Sequence, residues 1–320
     1  MTSDQTIRVA VLLAGILLCR CPVNGETDLL SELQQKSGKE GLALTRVAGN
    51  VVDVIPFGSD RKLCFLGDAI FFAVGFSSDG LKVVLTDEQE NLTIKTVDGE
   101  VLNAMSALKF PNMLAWLSPD GKQLLFSTSH NFPNPPSGLY LTDLTSNRVE
   151  LLEPEVPHAG IASGFSKSAG WARDGTSIVY SREGQIFHLD LRTRRKSTLA
   201  KGTSPSWSPD GKWIAYKAED GTARLMAFDG SNQTNIMPGR PILGYLHWSP
   251  DSEYLMFSEN HQPDLLEFFQ GILGPSTRLS VYRVRDSATA PIHSFGIYGG
   301  SDLPYGWIYN YSKFCKPSAH

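Results

Sequence analysis

The 320-residue sequence lacks most of the local signatures of catalysis. It has no Gly-x-Ser-x-Gly elbow, no phosphate-binding loop and no dinucleotide fingerprint. It also lacks the His-Glu-x-x-His spacing of many zinc enzymes. The segment SALK (106–109) matches a Ser-x-x-Lys pattern, but the companion motifs of serine acylases are missing. We therefore assign no catalytic residue and expect no cofactor.

An excess of positive charge is also absent. The formal net charge is -4 and charged residues make up 19% of the chain. This balance gives neither nucleic acid nor an anionic membrane surface an electrostatic attraction to the protein. The hydrophobic content of 41% is typical of a globular protein with a sizeable core.

Long apolar runs are confined to the N-terminus. Arg8 precedes the apolar stretch VAVLLAGILLC (9–19), which is shorter than the roughly 20 residues of a membrane span. Val23 and Gly25 are small enough for the −3 and −1 positions of a cleavage site, so residues 1–25 are predicted to be a secretory signal peptide. A lipoprotein signal at Cys19 or Cys21 is the weaker alternative. The expected location is periplasmic or secreted, with no transmembrane segment after cleavage.

What the sequence does contain is a turn motif that recurs five times. In WSPDGKWIAY (207–216), Ser, Pro, Asp and Gly suit the successive positions of a type I turn, and an apolar strand follows. The other copies are FSSDGLKVVL (76–85), LSPDGKQLLF (117–126), WARDGTSIVY (171–180) and WSPDSEYLMF (248–257). The turn aspartates are interpreted as caps of their own turns.

Each copy belongs to a unit of about four short strands, because a second hairpin pattern follows each turn motif. Four strands in roughly 40 residues, repeated along the chain, are typical of a β-propeller blade. Five blades are predicted at about 69–106, 112–153, 165–200, 203–237 and 243–295.

Strand-like segments remain at both ends of the chain. Residues 41–56 and 62–67 carry no turn motif, and 302–311 resemble the innermost strand of a unit. We therefore predict an all-β, six-bladed propeller over residues 41–316, with the last blade closed by N- and C-terminal strands. Residues 26–40 are expected to form a short helix or an arm.

The repeated Trp-Ser-Pro-Asp-Gly-Lys motif resembles the WD40-like (PD40) repeat of the TolB family of six-bladed propellers. The resemblance covers residues 69–311 and is strongest at 117–126, 207–216 and 248–257. It implies a propeller of the kind found in bacterial periplasmic and secreted proteins. Residues 26–68 are too few for the separate N-terminal α/β domain of TolB, which sets the chain apart from TolB itself.

Cysteine is scarce, with four residues in the chain. Cys19 and Cys21 lie in the predicted signal peptide, and Cys64 and Cys315 lie near the two ends of the mature chain. In an oxidising compartment this pair can form a disulfide that locks the closure of the ring. Two separate buried thiols are the alternative.

The candidate site lies where the repeat is interrupted. With strands labelled A to D from the channel outward, three long connections, 127–138, 153–164 and 258–278, are all B–C or D–A connections and fall on one face. Their candidate binding residues are His130, Asn131, Phe132, His158, Glu259, His261, Phe268 and Phe269. The apolar segment 263–273 is expected to form helical turns, packed on the propeller or exposed to a partner.

Two functions are compatible with this pattern. The first is an extracytoplasmic binding module that recognises a protein or peptide, or a glycan, through the long connections. The second is a secreted carbohydrate-active enzyme resembling polysaccharide lyases, with the loop histidines and Glu259 around a metal at the channel mouth. No ligand spacing supports the metal, and solvated or hydrogen-bonded histidines are the simpler interpretation. The basic segment RTRRK (192–196) is interpreted as a solvated hairpin, with contact to an acidic partner as the alternative.

Overall fold

The computed structural model describes residues 24–48, 51–57, 72–77, 81–86, 92–96, 100–105, 114–128, 138–154, 165–243, 246–261, 276–296 and 305–308. One helix, α1, spans Asn24–Glu40. The strands before the first repeat are β1 (Ala43–Ala48) and β2 (Val51–Pro56). The predicted signal peptide lies almost entirely outside the described residues, and so do Cys64 and Cys315. The signal peptide, the disulfide and the domain bounds stay predictions.

The turn motifs organise the chain into five antiparallel sheets of four strands each, which lie close to the predicted blades. We number these sheets as blades 1 to 5 in chain order. Blade 1 comprises β3 (Phe72–Phe76), β4 (Lys82–Thr86), β5 (Leu92–Thr96) and β6 (Val101–Met105), and blade 2 comprises β7 (Leu114–Leu117), β8 (Gln123–Thr128), β9 (Gly138–Asp143) and β10 (Val149–Pro154). Blade 3 comprises β11 (Phe165–Trp171), β12 (Ser177–Arg182), β13 (Gln185–Asp190) and β14 (Lys196–Lys201), and blade 4 comprises β15 (Thr203–Trp207), β16 (Trp213–Lys217), β17 (Ala223–Ala227) and β18 (Thr234–Asn235). Blade 5 comprises β19 (His247–Trp248), β20 (Tyr254–His261), β21 (Ser276–Arg283) and β22 (Thr289–Gly296).

A sixth sheet joins the two ends of the described chain. Strand β23 (Tyr305–Ile308) pairs antiparallel with β1, from Ala43 opposite Ile308 to Arg46 opposite Tyr305, and β1 pairs with β2. The expected pairing between N- and C-terminal strands is therefore present. In the described residues this terminal sheet has three strands, so the structure shows five complete blades where the sequence predicted six.

The sheets are arranged in a ring. Cα atoms of the innermost strands come within 8 Å of one another in the order β3, β7, β11, β15, β19, β23 and back to β3. Apolar side chains from the facing surfaces of neighbouring sheets form separate buried layers, for example Val179 and Ile186 of blade 3 against Ile214 and Tyr216 of blade 4. The fold is thus an all-β propeller whose core is divided among the interfaces between sheets.

A serine and an aspartate shared by several of the motifs explain why the turns recur. In blade 4, Ser208 Oγ donates to Asp210 Oδ1 at 2.7 Å and accepts from the Trp213 amide at 2.9 Å. Asp210 Oδ1 also accepts from the Lys212 amide at 3.1 Å, and Gly211 adopts a positive φ of 80°. The same bonds occur at Ser118 and Ser249, so Asp120, Asp210 and Asp251 cap their turns as predicted. In the third motif Ala172 stands in place of the serine, and Asp174 Oδ1 accepts from the Thr176 amide at 3.0 Å. Asp79 lies outside the described residues.

Tryptophan side chains connect neighbouring sheets across the inner part of the ring. The indole of Trp171 donates to the carbonyl of Trp116 at 2.8 Å, and that of Trp248 donates to the carbonyl of Ser206 at 3.0 Å. In the terminal sheet, Trp307 donates in the same way to the carbonyl of His247 at 3.1 Å. The terminal sheet therefore contacts blade 5 through the same indole-to-carbonyl hydrogen bond that joins blade 3 to blade 2 and blade 5 to blade 4.

Helix α1 packs on the outer part of the interface between blade 5 and the terminal sheet. Leu29 and Leu33 are fully buried there, in a cluster with Tyr254, Ala290 and Trp307. No helix of the described chain is long and apolar enough to cross a membrane. Residues 26–40, which were predicted to form a short helix or an arm, thus belong to a helix with one buried face.

Charged side chains hold α1 in place. Arg283 of β21, only 2% exposed, contacts Asp28 and Glu32 of the helix and Asp286 of its own hairpin, at 2.8 Å to Asp28 and 2.6 Å to Asp286. At the next turn of the helix, Lys36 binds Asp251 at 2.8 Å and Glu253 at 2.7 Å. Because both groups of contacts join α1 to blade 5, the helix is fixed by electrostatics as well as by its apolar face.

Candidate binding face

Strand pairing divides the connections between two edges of the ring. Because consecutive strands of a blade are antiparallel, all A–B and C–D connections lie at one edge, which we call the turn edge. Its A–B turns are uniformly tight: 118–122, 172–176, 208–212 and 249–253. The strand ends that the B–C and D–A connections join lie at the opposite edge, which we call the loop edge. The longest of these connections, 129–137, 155–164, 236–246 and 262–275, begin and end there.

Most of the predicted binding residues belong to loop-edge segments outside the described residues. These are His130, Asn131, Phe132, His158, Phe268 and Phe269. His261 is the last residue of β20, and only its backbone is described. These seven residues, and the helical turns expected in 263–273, stay predictions.

Glu259 is the predicted site residue whose side chain the structure describes. It lies on β20 near the loop edge and is buried. Its carboxylate accepts from Ser280 Oγ at 2.7 Å, and Arg240 donates through Nε at 3.1 Å and through Nη2 at 2.6 and 2.7 Å. A carboxylate with these partners is already engaged inside the protein, and its role here is to hold Arg240.

Arg240 was missed by the sequence reasoning. It lies in the connection 236–246, between blades 4 and 5, and about half of its side chain is exposed. Residue Ile242, just beyond it, forms a bridge with Glu259, which brings this connection against β20. The guanidinium is therefore a fixed positive charge at the loop edge, next to the position where segment 262–275 begins.

A second buried carboxylate, Glu153, lies at the end of β10 beside connection 155–164. It accepts from Tyr180 Oη at 2.8 Å, Arg182 Nη1 at 3.0 Å and Lys196 Nζ at 2.8 Å. Burial opposes ionisation, but the hydrogen bonds from Lys196 and Tyr180 and the nearby positive charges outweigh it and lower the pKa of Glu153. Burial and this carboxylate together raise the pKa of Tyr180. The cluster joins blade 2 to blade 3 and holds Glu153 as a carboxylate.

The basic hairpin 192–196 has a structural role that its sequence did not indicate. Arg194 binds both oxygens of Glu150 at 2.7 Å, and Lys196 binds Glu153. Both acceptors belong to the outermost strand of blade 2. Two of the cations in this segment therefore tie blade 3 to blade 2.

Two histidines lie inside the ring structure. His188 of β13 meets the ring of Trp207 edge-on at a centroid distance of 5.9 Å, and burial lowers its pKa. Burial also lowers the pKa of His247 on β19 to about 4, so this imidazole is neutral at physiological pH. Within the described residues, histidine, cysteine and carboxylate side chains do not gather in groups of three or more that could hold a metal ion.

Comparison with known proteins identifies the fold class. A TolB from Acinetobacter baumannii superposes with a TM-score of 0.56 at 15% identity, over 83% of this chain and 66% of that one. A structure from Agrobacterium tumefaciens assigned to TolB gives a TM-score of 0.54 at 17% identity, over 85% of this chain and 99% of that one. The chain is therefore a β-propeller with a TolB-like fold.

Similarity at the level of sequence is more limited. No protein-family model matches the chain. An uncharacterized protein of Agrobacterium fabrum is 26% identical over 153 residues, which is 44% of this chain and 48% of that protein. The chain thus matches about half the length of this relative. An oligogalacturonate lyase in complex with manganese superposes with a TM-score of 0.48 at 16% identity, too distant for an argument about activity.

Proposed function

We propose that the protein is an extracytoplasmic binding module that recognises a protein or peptide partner through its loop edge. One observation carries the proposal: the four described A–B turns at the turn edge are each five residues long, while the longest connections begin and end at the loop edge. Variable connections on a rigid scaffold are the usual position of binding residues. A glycan is the second class of ligand compatible with such a surface.

The proposal includes a six-bladed ring with WD40-like repeats. Closure of the inner strands from β19 through β23 to β3 supports the terminal sheet as the sixth blade. The indole bond from Trp307 to His247 supports the same assignment. With six blades, the connections 129–137 and 262–275 lie on opposite sides of the channel, where one ligand can contact both.

We also propose export of the protein, based on the predicted signal peptide at residues 1–25. The TolB-like fold supports this location only by resemblance. Fusion of residues 1–25 to a reporter that is active only outside the cytoplasm tests this part separately. An inactive reporter would remove export and leave the loop-edge proposal standing.

The loop-edge proposal is tested by matched variants of the full chain. Replacement of 262–275 by a Gly-Ser linker, and separately Arg240→Glu, alter the loop edge, whereas Phe228→Ser alters an exposed apolar residue of the turn edge. Affinity purification from envelope extracts, quantified by mass spectrometry, is expected to lose the same partner in both loop-edge variants. The partner should remain with Phe228→Ser. Equal loss from all three folded variants, or from the Phe228→Ser variant alone, would contradict the proposal.

The enzyme alternative depends on the loop histidines His130, His158 and His261 together with Glu259, and among these only the Glu259 side chain is described. It predicts a stoichiometric divalent ion that is lost from a His130→Ala/His261→Ala double variant. Metal analysis of the purified protein distinguishes this outcome from the binding module.

A further inference from the structure

The outermost strand of every propeller blade is a sheet edge, with backbone groups that could pair with another chain. Five of the six outermost strands here carry features that prevent this. Strands β10 and β14 bear charged residues, β18 is two residues long, β22 contains Pro291, and β2 contains Asp53 and Pro56. Charged residues, proline and short length are the means by which native proteins protect their edges.

The outermost strand of blade 1 has none of these three features; its one irregularity is a bulge at Leu102, between the pairs Val101–Lys95 and Asn103–Ile94. Strand β6 reads VLNAM (101–105), with neither a charged residue nor a proline. Its first two side chains are both largely exposed, Val101 at 54% and Leu102 at 46%. In the described part of the chain no strand lies beyond β6. Within the described residues this edge is thus uncharged, begins with two exposed apolar side chains and has no strand paired to it, which suits strand addition.

We propose that β6 pairs antiparallel with β6 of a second copy of this chain, joining the first blades of two propellers into one continuous sheet. Full overlap of the five residues places Asn103 opposite Asn103, Val101 opposite Met105 and Leu102 opposite Ala104. Such a pairing is isologous, because each copy contributes the same surface around a two-fold axis.

The absence of charge suits β6 to pairing with its own copy. Self-pairing of β6 brings no two charged strand residues together, because the strand has none. Self-pairing of β14 would instead bring its two lysines beside those of the other copy, and β10 would do the same with its two glutamates. Like charges on paired strands are destabilising, so blade 1 presents the self-compatible edge.

The length of β6 determines the strength of the contact. A pairing of five-residue strands buries far less than the roughly 1,200 Å² of a stable interface. The dimer is therefore weak, and the monomer and dimer exchange with concentration.

Sedimentation velocity of the full chain over a range of concentrations tests the pairing. The wild type is expected to shift from monomer to dimer as concentration rises. Val101→Lys and Leu102→Lys each place a charge on the edge in both copies and are expected to weaken association by about tenfold or more. Leu151→Lys is the matched control, since Leu151 is a 40% exposed leucine on the outermost strand of blade 2. It should associate as the wild type does.

A second measurement tests the register. Directly opposed residues of antiparallel strands have Cα atoms about 4.5–5.5 Å apart, within reach of a disulfide. An Asn103→Cys variant is therefore expected to form an intermolecular 103–103 link, identified by peptide mapping. A Leu151→Cys control should not form the corresponding link. A wild type that stays monomeric overturns the proposal, as does dimerisation that survives both lysine variants or is lost with Leu151→Lys.

Discussion

Arg283 is the most heavily engaged charged residue of the described chain. Its guanidinium is buried and contacts carboxylates on α1 and on its own hairpin, while its neighbour Arg285 is mostly exposed and binds Glu32 at 2.6 Å. Ion pairs at the surface contribute little to stability. Removing one partner of a buried ion pair costs more, because the remaining charge is no longer compensated. These two arginines therefore provide a matched comparison.

We expect Arg283→Met to lower the free energy of unfolding by about 2–4 kcal/mol, because three carboxylates lose their shared cation. Arg285→Met removes an exposed pair with the same glutamate and should cost less than about 1 kcal/mol. Urea denaturation monitored by tryptophan fluorescence measures both. Equal costs would mean that burial of Arg283 has no energetic importance.

His247 gives the protein a dependence on mildly acidic pH. Burial holds its pKa at about 4, below the ordinary value of 6.5, so between these values the unfolded chain binds a proton that the folded chain does not. Stability contributed by the neutral imidazole is complete above pH 6.5 and is lost as the pH falls toward 4. His247→Gln is expected to flatten the fall in unfolding free energy between about pH 7 and about pH 5. An unchanged slope in urea titrations would contradict this origin.

Strands and helices differ in how well their positions could be predicted. The turn motifs placed the five blades within a few residues, because the described turns are determined by contacts within a few positions of sequence, such as those of Ser208 and Asp174. Helix α1 was left undecided, and its docking could not be predicted. Lys36 and Asp251 are 215 residues apart, and a charged residue on a helix resembles a solvated one until its partner is known.

The candidate site illustrates the same limit. Glu259 was selected because it adjoins a long connection, and its strand, β20, does end at the loop edge. Its bidentate partner Arg240 precedes it by 19 residues, at a spacing that no local motif marks. Sequence reasoning therefore placed Glu259 at the correct edge of the ring, but could not show which polar groups of that edge are already bound to each other.

The contact between α1 and blade 5 is expected to weaken in acid. Burial opposes ionisation of Glu32, but its bond with Tyr254 and the charges of Arg283 and Arg285 outweigh this and lower its pKa below the usual 4.5. The pKa of Asp251 is lowered by Lys36 and Ser249 in spite of burial, and that of Asp286 is lowered by Arg283. Stability from these carboxylates is therefore present above pH 4.5 and is lost as the pH falls through their lowered folded-state pKa values.

A Glu32→Gln variant tests whether the ionised carboxylate stabilises the contact between α1 and blade 5. It should be less stable than the wild type at neutral pH, and the difference should shrink as the pH falls below about 4, where the wild-type carboxylate also becomes protonated. Glu150→Gln, which removes an exposed pair with Arg194, is the control and should show little difference at either pH. A difference between Glu32→Gln and the wild type that persists in acid would show that packing, not charge, holds the helix.

Closure of the entire ring depends on whether the terminal sheet behaves as a blade. Trp248 in blade 5 and Trp307 in the terminal sheet are both buried, and each indole donates to a carbonyl of the preceding sheet. If the two sheets are equivalent members of one ring, the two residues should contribute similarly to stability.

We therefore expect Trp248→Ala and Trp307→Ala to reduce the free energy of unfolding by similar amounts, about 3–5 kcal/mol each. Both should retain a single cooperative transition in calorimetry, because every sheet contacts two others. A cost below about 1 kcal/mol for Trp307→Ala would show that the terminal sheet is peripheral. A separate unfolding transition at lower temperature in the Trp307→Ala variant would lead to the same conclusion.

The pairing of β1 with β23 also constrains when the protein can reach its final form. Residues 43–46 are made early on the ribosome, but their partners, residues 305–308, follow only after five complete blades have been translated. Until then the growing polypeptide holds an exposed β1 edge that no earlier segment is built to cover. A chain that stops before residue 305 would therefore lack β23, and its terminal sheet could not complete the ring.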